Sequence, residues 1–154
     1  MTKRQSPMHV AHFNLGVLVD DIGSPRVAPF VLAIDRVNAV AERSAGFVWR
    51  HGDEAGAAVA AGWPLFVENP RVIASFSVWE TVEHFRDFVH KTVHGAFLKR
   101  RAQWFEAGQG PSHVLWRVPV GHIPTIGAAQ TMYERLSAEG PGDSVFTLER
   151  AAPA

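Results

Sequence analysis

Two histidines, His90 and His94, stand four residues apart in a segment with helical periodicity, so they share a helix face about one turn apart. Such a pair can supply a general base of near-neutral pKa together with a polar partner. It could also simply end a helix, where the dipole stabilises positive charge. A metal site would need a third ligand. Glu83 and Asp87 occupy the same segment, but Glu83 lies two turns from His90 and no third ligand stands at a matching spacing, so no metal is expected. The other side chains with chemical potential are His12, Asn14, Ser75, Ser77, Trp79, Arg101, Trp116 and Arg117. There is no glycine-rich phosphate loop after a strand and no serine nucleophile elbow, which argues against nucleotide chemistry and serine hydrolysis. With no cysteine in the chain, disulfides, thiolate metal sites and a cysteine nucleophile are excluded.

The elements that must position these residues can be read from periodicity. His9–Val19 alternates as a strand, and a turn-rich loop of Asp20–Pro25 leads to a helix opened by Pro29 and running to Ser44. Phe47–His51 is a second strand. Residues 52–69, rich in Gly and Ala, read as a long loop with room for one short helical piece. Arg71–Trp79 is a third strand, followed by helices at Glu80–Thr92 and Ala96–Ala107. A fourth strand at His113–Val120, a helix at Thr125–Glu139 and a short strand at Val145–Leu148 complete the chain. The expected fold is α+β, a ferredoxin-like βαββαβ unit with an antiparallel sheet and an extra carboxyl-terminal helix and strand. It forms a single domain over residues 8–149, with 1–7 and 150–154 as flexible termini.

The two sheet faces differ. Val72, Ala74, Phe76 and Val78 make a smooth apolar face suited to packing helices. The opposite face carries Ile73, Ser75, Ser77 and Trp79 on the third strand, and Val10, His12, Asn14 and Gly16 on the first. This mixture of small, polar and aromatic groups suits a cavity wall, because a buried polar group without a partner costs about 1–3 kcal/mol. A solvated sheet face would carry the same pattern. Fifteen basic and fifteen acidic residues balance, so no net field draws the chain to nucleic acid. No apolar run follows Met1–Pro7 and no stretch of about 20 apolar residues is present, so neither a signal peptide nor a membrane span is expected and the protein is read as cytoplasmic.

Several motifs in order carry a family resemblance. They are Ser77-Val78-Trp79-Glu80-Thr81-Val82-Glu83, then Phe88-Val89-His90 with His94, then Arg100-Arg101-x-x-Trp104-Phe105, Leu115-Trp116 and Gly121-His122-Ile123-Pro124. Across about Val10–Leu148 the chain resembles the bacterial family of domain of unknown function 3291, which is itself similar to the dimeric α+β barrel superfamily. Two positions depart from the family pattern: Arg117 stands where a second Trp follows the first, and His90 where Tyr is more usual.

The resemblance implies a homodimer in which the open sheet face meets a second copy to form a barrel. It does not supply a reaction, since the superfamily includes cofactor-independent antibiotic-biosynthesis monooxygenases, heme-degrading monooxygenases and isomerase-like proteins. The leading expectation is a cofactor-independent enzyme acting on a small aromatic or polyketide-like molecule by acid–base or monooxygenase chemistry. His90 or His94 would be the base. Phe47, Trp49, Trp79 and Trp116 would form the enclosure, Ser75 and Ser77 would contact the substrate, and Arg101 could bind an acidic group on it. Asn14, His12 or Arg117 would steady an anion. A heme-binding reading rests on Asn14, Trp79 and a histidine of the following helix, which are similar to the residues around the porphyrin in heme-degrading members. A non-catalytic ligand-binding protein is the reading from another class.

Overall fold

A computed structural model describes residues 7–93, 96–108 and 112–150, with the side chains of 92–99 left aside. Of the termini expected to be flexible, residues 1–6 and 151–154 fall outside the described residues, as do His94 and the Phe97 and Leu98 side chains.

Four strands and six α-helices are found among the described residues: β1 Met8–Val17, α1 Ala28–Glu42, β2 Phe47–Arg50, α2 Glu54–Ala60, α3 Pro64–Glu68, β3 Val72–Trp79, α4 Val82–Val93, α5 Ala96–Trp104, β4 His113–Pro119 and α6 Ile126–Glu139. The strands form one sheet in the order β2-β3-β1-β4, with every neighbouring pair antiparallel. Local chemistry explains most boundaries. Pro29 lies in the first turn of α1. The Thr81 hydroxyl accepts from the His84 amide at 3.0 Å to start α4, and the Thr125 hydroxyl accepts from the Ala128 amide at 3.1 Å to start α6. Gly140, at φ +77°, ends α6 in a conformation that side chains rarely adopt.

Two expectations are corrected. Residues 52–69 form two short helices rather than a loop. Asp53 caps α2, accepting from the Gly56 amide at 3.2 Å, and Pro64 opens α3 after an extended Trp63. At the carboxyl end the expected strand shrinks to a single bridge between Phe146 and Leu115, followed by a 3-10 turn at Leu148–Arg150.

The helical insertion changes the layering. Ala11, Phe13, Phe76, Val78, Val114 and Trp116 pack against Ala58 of α2, Trp63, Phe66 of α3, and Ala129 and Leu136 of α6. On the other face Val10, Trp79 and Leu115 pack against Ala41 of α1, Val82 and Phe85 of α4, and Phe146. Helices therefore cover both faces of the sheet. α2, α3 and α6 take the apolar face, and α1 and α4 pack on the other, the face on which a barrel-forming partner is expected. No described helix is long and apolar enough to cross a membrane.

Candidate functional site

Side chains directly opposite each other on neighbouring strands point to the same face. In the β1 register His12 lies between Ser77 and Leu115, and Asn14 lies between Ser75 and His113. The α4-covered face thus carries a polar band of His12, Asn14, Ser75, Ser77 and His113. Above it lie Val10, Trp79 and Leu115, all buried. Below it the Phe105 ring rests on Gly16, where a Cβ would fall 2.7 Å from the ring. Only glycine admits that ring so close to the strand.

The band is held by specific bonds. Asn14 Oδ1 accepts from the Ser75 amide at 2.9 Å and from the Ser75 hydroxyl at 2.8 Å. Ser77 Oγ accepts from the Trp79 indole at 2.9 Å. His12 differs from these. It is 5% exposed, and its Nδ1 has no hydrogen-bond partner among the described residues. Its ring lies on Phe85, with centroids 4.2 Å apart. Burial, reinforced by His113, holds its pKa well below 6.5. His113 is also lowered, chiefly by burial; Glu149 opposes this and Arg101 adds to it. Its Nε2 accepts from the Leu148 amide at 3.1 Å, so that nitrogen carries a lone pair and the neutral ring holds its proton on Nδ1. The two imidazoles, with ring centroids 6.3 Å apart, form a neutral pair at pH 7.

The other expected site residues divide. Asn14, His12, Ser75, Ser77 and Trp79 do share one face, and Phe47 joins its upper end, its ring 5.5 Å from that of Trp79. Trp79 itself is core: it is fully buried among Phe47, Phe85 and Phe88. Trp49 and Trp116 belong to the opposite face, with their rings 5.3 and 5.9 Å from Phe76. For Trp49 the cause is a register shift in β2. Phe47 pairs with Trp79 and Trp49 with Val78, so residues two apart face opposite ways. Trp116 pairs with Ala11, one residue out of step with the band. Arg117 is half-buried, its guanidinium 5.3 Å from the Phe146 ring. Arg101 is exposed, with its guanidinium 5.5 Å from the Phe105 ring.

His90 is exposed, because α4 turns Val82 and Phe85 toward the sheet. It does not join the band. The residues that sequence reasoning missed are His113, Phe85 and Phe105. Parity along β4 held the signal for the first: once Trp116 is assigned to the core, His113, Leu115 and Arg117 must share the other face.

Of the residues behind the heme reading, Trp79 is buried with its indole nitrogen engaged by Ser77, Asn14 is tied to Ser75, His90 is exposed, and His94 lies outside the described residues. Among the described residues no group of three His, Asp or Glu side chains is placed to hold a metal ion.

No curated protein and no solved structure matches the chain. A family model does, over residues 9–154, a span that includes every strand residue of the polar band. The chain therefore belongs to the family described as domain of unknown function 3291.

Proposed function

We propose that the protein is a small acid–base enzyme that takes an aromatic or polyketide-like molecule onto the α4-covered face of the sheet, with His12 as its base. The observation that carries this reading is the buried His12 Nδ1 without a described partner. A buried polar atom left unpaired costs about 1–3 kcal/mol, and a ligand O–H or C=O at that point would remove the cost. The depressed pKa keeps His12 unprotonated at pH 7 and ready to accept a proton. Asn14, its oxygen fixed by Ser75, is left to donate through its amide nitrogen to an oxyanion. Phe85 and Phe105 supply the apolar enclosure.

In this reading a phenol or enol gives its proton to His12. The anion is then reprotonated at another position, or it reacts with dioxygen. In the second case the substrate supplies the electrons, one oxygen atom enters the product and the other leaves as water. The strand order β2-β3-β1-β4 supports treating the sheet as a ferredoxin-like split unit, with α2–α3 inserted and α6 added. That likeness supports a monooxygenase-like activity by analogy alone.

The test is a panel of naphthols and anthrones, followed by absorbance and oxygen uptake. His12→Gln should lower kcat by at least about 100-fold while leaving binding within a few-fold, as expected on removing a general base. Unchanged turnover in His12→Gln would contradict the reading. Binding without turnover in the native protein would make it a carrier instead.

A further inference from the structure

The segment after α6 returns to the sheet and ties two elements together. Phe146 and Leu115 exchange backbone hydrogen bonds of 2.8 and 2.9 Å at the outer edge of β4. Two residues on, the Leu148 amide donates to His113 Nε2 at 3.1 Å, and the Leu148 carbonyl accepts from Arg86 of α4 at 3.1 Å. Leu148 also packs into the cluster formed by Phe85, Leu115 and Phe146. Residues 145–150 thus fasten α4 to β4.

Only one of these ties depends on a proton. A backbone N–H can only donate, so its partner nitrogen must keep a lone pair, and imidazolium has none. We infer that residues 145–150 form a strap, latched at neutral pH by unprotonated His113 and loosened in acid when that acceptor is lost. Four titratable or charged groups face the latch from the elements around it. His12 approaches from β1, neutral and 6.3 Å away ring to ring. Arg101 of α5 disfavours a proton on His113. Glu149, on the strap itself, favours one and lies 3.7 Å from Nε2, but its side chain is 74% exposed, so solvent weakens the attraction. Arg86 is engaged by the Leu148 carbonyl.

The sign follows from linkage. His113 binds protons more weakly with the strap closed than with it open, because closure buries the ring. Closure is therefore fully favoured above pH 6.5 and is lost progressively as pH falls below it. Once protonated, His113 has a carboxylate partner in Glu149 in place of the Leu148 amide. The inference stands whether or not His12 meets a ligand.

Amide hydrogen exchange at pH 7.5 and pH 5.0, expressed as protection factors, tests this directly. Protection of the Phe146 and Leu148 amides should fall about tenfold or more in acid, and by a larger factor than that of the Phe13 amide in β1. In His113→Phe, Leu148 protection should already be low at pH 7.5 and nearly independent of pH. Three results would overturn the latch: protection of Leu148 that does not change with pH, a fall only in step with Phe13, or a His113→Phe protein as pH-dependent as the native one. Should that variant not fold, nitrogen-15 spectra of the native protein serve instead. They must show His113 Nε2 unprotonated at pH 7.5, and a proton there rejects the inference.

Discussion

Acidification from pH 7 to pH 5 should destabilise the fold steeply, with a slope of up to about 1.4 kcal/mol per pH unit for each histidine buried in its neutral form. His12 and His113 both have folded pKa values below 6.5. Their contributions are complete above pH 6.5. Below it the unfolded chain takes up protons that the folded chain refuses, and stability falls until the folded values are reached. Glu54, raised by burial, works in the opposite sense and trims the slope. His12→Leu removes one contribution and fills the site beside Phe85 and Leu115 with an apolar group. Its stability should therefore depend less on pH than that of the native protein. Denaturant titrations of both proteins at pH 7, 6 and 5 provide the comparison. Equal slopes would mean that His12 is not held neutral.

The second large effect concerns Trp79. Its indole is fully buried, stacked on Phe88 at 5.0 Å and in contact with Phe47 and Phe85. Trp79→Ala should cost about 3–5 kcal/mol, the usual penalty for emptying a site of this size. The cost includes stranding Ser77 Oγ, which loses its indole donor. Trp79→Phe keeps the stack and should cost less. If Trp79→Ala instead left the unfolding midpoint unchanged and abolished binding of aromatic probes, Trp79 would be a ligand platform rather than core.

These two residues show what could be read from the chain and what could not. The alternation of Val10, His12, Asn14 and Gly16 against Ile73, Ser75, Ser77 and Trp79 was legible because strand period is strict, and the register joins those rows as expected. The same rule failed for Trp49, since the β2 register shift is invisible in a four-residue strand. It failed for α2 and α3 too: Gly- and Ala-rich sequence carries no apolar period, and only the fold shows Ala58, Trp63 and Phe66 covering the second layer. That missing layer is why the apolar face was assigned to the other helices of the chain. For His90 the information was present. Val82 and Phe85 define the inward stripe of α4, and a residue one position beyond Val89 is rotated about 100° from it. The base was therefore sought on the helix, whereas the buried imidazoles lie on the sheet.

The most direct test of the site is the nitrogen-15 resonance of His12 Nδ1 at pH 6, recorded with and without 1-naphthol. The ring should be neutral at that pH and Nδ1 should shift on addition of the naphthol, with His9, at the half-buried start of β1, unmoved. A His12 ring protonated at pH 6, or an Nδ1 resonance indifferent to the naphthol and to every other member of the panel, would contradict it.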